Sequence, residues 1–201
     1  MDYEMLKYFT EFWCSDDTDP YERIYIQWSL SKFFPAKTMG SHVTNWNKNT
    51  SVKFRTDVCS SCKLGFDIDL KSLSADDYKF VQQAVKNYND MKPMILDGDQ
   101  YRLVSPYEGS HCAVNYVSKD KQRAVLFAYD LHPRYKEPQQ NVKLQGLNPA
   151  KVYTVKETNL MPGKTSELEC DGKQFSGDYL MKVGLSVFTP RDGISHVLIF
   201  E

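Results

Sequence analysis

An α/β region over residues 1–97 followed by an all-β region over residues 98–201 is the fold class this sequence predicts, and three observations carry it. Helix signals are confined to the first half. From Asp99 onward short alternating segments are broken by Gly, Pro and Asn, the texture of an antiparallel sheet. The length of 201 residues allows one good core or two modest ones. It cannot hold a complete eight-stranded β/α barrel, which needs about 250 residues, together with a second domain.

The elements follow in chain order. Tyr8, Phe9, Phe12 and Trp13 form an aromatic approach that reads as a buried strand. The first helix opens at Asp19-Pro20-Tyr21-Glu22. Asp19 suits the N-cap, Pro20 has no N–H to lose at N1, and Glu22 can reach back to complete a capping box. Ile24, Trp28, Leu30, Phe33 and Phe34 give it a broad apolar face up to Pro35. The second helix opens at Ser74-Ala75-Asp76-Asp77 and places Val81, Ala84, Val85 and Tyr88 at helical spacing over residues 76–92. Two helices are too few for an independent barrel, so residues 1–97 read as the end of a domain. Strands are expected at 101–105, 112–118, 123–128, 151–158, 186–189 and 196–200. Turns at Lys119-Asp120-Lys121, Gly146-Leu147-Asn148-Pro149, Pro162-Gly163 and Pro190-Arg191-Asp192-Gly193 separate them. Short strands spaced this way predict a small antiparallel β-sandwich.

Composition removes several classes of function. Lys+Arg 25 against Asp+Glu 26 leaves a net charge of −1, which argues against a nucleic-acid binder or a membrane-surface protein. The first residues lack the basic start, apolar run and small-residue cleavage site of a signal peptide. Five cysteines, an odd number, point to reduced thiols in the cytoplasm.

The segment Phe12-Trp13-Cys14-Ser15-Asp16-Asp17-Thr18-Asp19-Pro20 carries the chemistry. Carboxylates at the C-terminal end of a strand, just before a helix, lie on the catalytic face of a β/α barrel. Acid/base work on an acetal needs a carboxyl group of adjustable pKa, and Trp13 offers apolar cover. Asp19 reads as a cap. Asp16 and Asp17 both lie in the turn, and residue chemistry alone leaves open which of them faces a cleft. Three acids also admit a divalent cation, but no fourth ligand follows at useful spacing. Cys59-Ser60-Ser61-Cys62 lacks the second Cys/His pair of a zinc site and reads as buried thiols. His42 reads as a lock for its loop. Arg55 and Asp57 are candidates for an ion pair. Trp46 is a lone aromatic of the same loop as His42. His111, His132 and His196 have no partner that the sequence identifies.

Residues 12–24, Phe-Trp-Cys-Ser-Asp-Asp-Thr-Asp-Pro-Tyr-Glu-Arg-Ile, resemble the acid/base strand and following helix of the family 36 α-galactosidases. The similarity continues through Met39-Gly40-Ser41-His42-Val43, through residues 64–70 (Leu-Gly-Phe-Asp-Ile-Asp-Leu), and through residues 97–103 (Asp-Gly-Asp-Gln-Tyr-Arg-Leu). The resemblance implies the last β/α units of a (β/α)8 barrel over residues 1–97 and a C-terminal β-sandwich over 98–201. It implies retaining hydrolysis of terminal α-galactose in oligosaccharides, with Asp16 as general acid/base and Asp17 as second choice. Trp13, Cys14, Asp17 and His42 would then lie beside the sugar, and no metal or cofactor is called for. The family's nucleophile belongs to an upstream Lys-Trp-Asp motif. Here Trp13 precedes Cys, Trp28 precedes Ser and Trp46 precedes Asn, so that carboxylate is missing. Residues 1–6 resemble the stretch just after the family's glycine-rich substrate loop. The resemblance therefore implies a C-terminal fragment, inactive alone, whose partners are galactose-containing oligosaccharides, the rest of the enzyme and, in an oligomer, further copies. A non-catalytic carbohydrate-binding or subunit-interaction module is the alternative, and a thiol oxidoreductase using Cys59 and Cys62 ranks third.

Overall fold

A computed structural model describes residues 3–47, 49–137, 140–189 and 191–201. Three β/α units come first: β1 (Phe12–Trp13), α1 (Pro20–Leu30), β2 (Met39–Val43), α2 (Val52–Ser60), β3 (Lys63–Phe66) and α3 (Ala75–Asp97). The strands form a parallel sheet in the order β1-β2-β3, with Trp13 paired to Gly40 and His42 to Gly65. Next come β4 (Asp99–Val104), β5 (His111–Val117), β6 (Ala124–Asp130), β7 (Val152–Thr158), β8 (Gln174–Ser176), α4 (Gly177–Lys182) and β9 (Ile194–Phe200). These strands make a six-stranded antiparallel sheet in the order β4-β5-β6-β9-β7-β8.

The caps form largely as the residues dictate. Asp19 accepts from Tyr21 N at 2.9 Å, and Ser74 Oγ from Asp77 N at 3.1 Å. The reciprocal bond to Asp19 N comes from Asp17 Oδ1 at 3.0 Å rather than from Glu22. Gly98 lets α3 turn directly into β4, because a Cβ there would lie 2.5 Å from Val117 O. Among the described residues no helix is long and apolar enough to cross a membrane.

The antiparallel sheet is covered on both faces, and its alternation sorts the cores. Cys112, Val114, Tyr116, Phe127, Tyr129 and Val197 face Ile24, Trp28, Phe54, Tyr88, Met91 and Ile95 of the helices. Ala113, Val117, Leu126, Ala128, Leu198 and Phe200 face Val142, Leu144, Leu168, Leu180, Leu185 and Val187.

Several expectations are corrected. Residues 52–60 form a third helix capped by Ser51, whose Oγ accepts from Phe54 N at 3.0 Å. Its signal was hidden because Arg55, Thr56, Asp57 and Ser60 are buried with Phe54 and Val58, which erases the two-faced period. Helix α1 stops at Leu30, and α3 runs through Pro93 to Asp97. The buried strand expected at residues 8–13 is a two-residue edge strand, with Tyr8 79% and Phe9 56% exposed. Residues 186–189 are not a strand. The N–H of Thr189 donates to Asp130 Oδ2 at 2.8 Å, so a side chain takes the place of a neighbouring strand. Among the described residues the layer opposite the helices holds α4, loops and a single bridge between Val142 and Leu185, where a second sheet was expected. Of the turn expected at 190–193, Pro190 lies outside the described residues, as do Met1 and Asp2 of the N-terminal resemblance.

Candidate active site

Strand parity divides the parallel sheet into two unlike faces. Met39, Ser41 and Val43 are buried toward the helices, whereas Gly40 and His42 on the other face are half-buried and Trp13 is 40% exposed. The open face leads into a cleft of about 600 Å³ at the C-terminal ends of the strands, lined by Trp13, Asp16, Thr18, His42, Thr44, Asn45, Trp46 and Asp67.

Asp16 is exposed in this cleft, and Trp13 Nε1 donates to its Oδ1 at 2.9 Å. The Trp13 ring lies 4.7 Å from that of His42 and 5.3 Å from the Arg23 guanidinium carbon. His42 in turn occupies the space over Gly65, where a Cβ would come within 2.3 Å of the imidazole. Beneath them Arg23 is buried and donates to Gly40 O at 2.7 Å and Ser15 O at 3.3 Å. Gln27 accepts from Arg23 Nε at 3.3 Å and from Ser41 Oγ at 2.7 Å, and donates to Val58 O and Ser61 Oγ, both at 3.0 Å. One polar pair on α1 thus ties the turn after β1, the strand β2 and the end of α2. Buried donors and acceptors satisfied this fully hold their positions firmly.

The other candidates separate. Asp17 Oδ1 is committed to Asp19 N, which ties that carboxylate to the helix start. Cys14 does not reach the cleft: it packs with Phe34, Met39 and Cys62 on the helix side, and burial raises its thiol pKa. The reason is parity, since residue 14 follows Trp13 along an extended chain and points the other way. Arg55 and Asp57 do not pair. Arg55 Nη1 donates to Thr44 O at 2.5 Å and Asn45 Oδ1 at 3.3 Å. Asp57, fully buried, takes Lys53 Nζ at 2.5 Å and Asn159 Nδ2 and Ser195 Oγ at 2.7 Å.

Residues 1–98 match the Melibiase family model, and residues 111–200 match the family model for the glycosyl hydrolase family 36 C-terminal domain. The chain belongs to glycosyl hydrolase family 36. It is 32% identical over 204 residues to a probable α-galactosidase C of Aspergillus terreus and 31% over 185 residues to α-galactosidase 1 of Pediococcus pentosaceus. Those alignments take in 98% and 90% of this chain but 25% and 24% of the relatives, so the chain spans about a quarter of their length. Among solved structures it superposes on a family 36 α-galactosidase of Geobacillus stearothermophilus, AgaB, with a TM-score of 0.85 at 28% identity. A related enzyme of the same organism, in complex with raffinose, gives 0.85 at 27%. Each match covers 98% of this chain and 26% of the other.

In this family 36 chain the cysteine pair sits behind the sheet, not at the cleft. Cys59 and Cys62 are buried at the end of α2, and burial pushes the Cys59 thiol up to about 11 and the Cys62 thiol further. Both are protonated in ordinary conditions and unsuited to thiolate chemistry. Sequence reasoning missed Asp67, Thr18 and the Arg23–Gln27 clip. A polar i,i+4 pair inside the apolar stripe of Ile24 and Trp28 is the one signal that pointed to the clip.

Proposed function

We propose that this chain is the acid/base-bearing part of a retaining α-galactosidase. Residues 1–97 would be the last units of its β/α barrel, and residues 98–201 a β-domain without chemistry of its own. Asp16 in the cleft beyond β1 is the observation that carries the reading. It stands beside Trp13 and His42 at the C-terminal end of a parallel strand, the kind of position from which β/α barrels do their chemistry, and that supports the reading. Asp16 protonates the leaving oxygen and then takes a proton from water. Trp13 and His42 bound the galactose, Asp17 supports the turn as the second choice for the acid, and the reaction needs no cofactor. Substrates are galactose-terminated oligosaccharides, as in relatives solved with raffinose and stachyose. The free thiols fit a reducing, cytoplasmic setting.

The nucleophile belongs to an upstream strand. Asp67, the other carboxylate in the cleft, follows β3, two strands away from β1. The open sheet face and the exposed Tyr8, Phe9 and Phe33 support a missing remainder of barrel over a self-sufficient binding module.

The test joins this chain to the upstream three-quarters of a family 36 relative. Asp16→Asn is expected to lower turnover on raffinose by about 10²–10⁴-fold, and much less on an activated aryl galactoside whose leaving group needs no proton. Equal losses on both substrates, or turnover by the unjoined chain, sinks the reading.

A further inference from the structure

We infer that Trp46 is a stacking platform for a second sugar ring, on the leaving-group side of Asp16, so that the cleft selects oligosaccharides over small α-galactosides. The inference rests on the glycosidase reading of the cleft. Trp46 stands in the loop between β2 and α2 and lines the same cleft wall as Asp16 and Asp67. A general acid sits beside the glycosidic oxygen, so groups on the rim next to it meet whatever departs with that oxygen.

The loop is fastened on both sides of Trp46 while the indole itself is left unused. Thr44 Oγ1 lies 2.7 Å from Thr18 Oγ1 and accepts from Trp46 N at 3.2 Å. Arg55 holds Thr44 O and Asn45 Oδ1 from below. Asn47 Nδ2 donates to Asp19 Oδ2 at 2.8 Å, and Asn47 O accepts from Thr50 Oγ1 at 2.7 Å. Yet the Trp46 side chain is 65% exposed, and among the described residues no ring contact or side-chain hydrogen bond engages it. Trp13 differs in all these respects, with its N–H on Asp16 and its ring between His42 and Arg23. A large aromatic held out into water on an anchored loop has its backbone ordered before any ligand binds, and most of its apolar surface remains free for one. The C–H face of a pyranose is the complementary surface: apolar, with its hydrogens directed at the negative π face.

The experiment uses the whole chain with ¹⁵N-labelled indoles, titrated separately with raffinose, galactose and maltose. Raffinose is expected to move the Trp46 indole signal, and galactose that of Trp13. Trp46→Ala should weaken raffinose about fivefold to tenfold relative to galactose, the scale of one aromatic stack, and Trp46→Phe should restore most of it. An unmoved Trp46 signal in raffinose, or an unchanged raffinose-to-galactose ratio in Trp46→Ala, overturns the inference. Movement of Trp46 by raffinose and maltose while galactose leaves Trp13 still would keep the platform and remove the galactosidase reading. If no sugar moves either signal, the platform falls, and the galactosidase reading stands or falls with the joined enzyme.

Discussion

The two sheets of this chain are finished to different degrees. In the antiparallel sheet every residue of β5 and β6 is buried, because helices α1–α3 cover one face and the loops around Leu144 and Leu185 the other. In the parallel sheet one face has its helices, while the face bearing Trp13, Gly40 and His42 is open, although parallel sheets are as a rule covered on both sides. The same residues that would be a packing defect in the second sheet are the cleft walls of the first. The comparison separates two kinds of sheet: the closed one is a platform against which the helices pack, and the open one leaves Asp16 and Trp46 accessible.

The regions are nonetheless sewn together by Asp57, and breaking that seam is expected to have the largest effect. Its carboxylate receives Lys53 from its own helix, Asn159 from beyond β7 and Ser195 of β9, and its carbonyl accepts from Tyr129 of β6 at 3.2 Å. Asp57→Ala leaves two buried donors, Asn159 Nδ2 and Ser195 Oγ, and the Lys53 cation without their acceptor, a loss of about 3–5 kcal/mol. All three tryptophans lie in the first region, so urea unfolding followed by tryptophan fluorescence and by the circular dichroism of the sheet reports on each region separately. Both signals are expected to shift together. A shift in fluorescence alone would mean that the two sheets stand independently.

A smaller effect distinguishes the closed sheet. Burial works to raise the pKa of Glu157, but His196 Nδ1 at 2.6 Å, together with Ser166 and Lys53, outweighs it and holds the carboxyl below its ordinary 4.5. A folded pKa below the unfolded one stabilises the fold above the ordinary value, and that stability is lost as pH falls through the folded one. Melting temperatures measured downward from pH 5 should therefore drop steeply in the native chain and less in Glu157→Gln. Parallel curves for the two would show that the pair contributes nothing to acid stability.

Local chemistry made α1 and α3 legible in the sequence, because a capping side chain and an apolar stripe need no distant partner. Helix α2 was not legible, since Arg55 and Asp57 are buried by contacts with Thr44 and Ser195 that lie 11 and 138 residues away. The site was legible in the same measure. The turn after Trp13 identified two candidate acids and the family resemblance ranked Asp16 first, while the structure adds that Asp16 lines the cleft and that Asp17 Oδ1 is tied to Asp19 N. Cys14 was misplaced for want of strand parity, and Asp67 joins the cleft through the pairing of β2 with β3, a non-local event.

The smallest expected effect sharpens the comparison on the open side. Asp19 caps α1 through Tyr21 N with one oxygen and holds Asn47 of the Trp46 loop with the other. Asp19→Ala should cost about 1 kcal/mol as a lost N-cap, while Asp19→Asn keeps a capping acceptor and should cost less. Because the loss of Asn47's anchor falls on the rim rather than the core, amide exchange should quicken at Tyr21 and over residues 45–47. Exchange in β5 and β6 should hold, since neither strand touches the cap. Faster exchange in those strands would show that the open region's helix start supports the closed sheet as well, and that the two differ in cover but not in dependence.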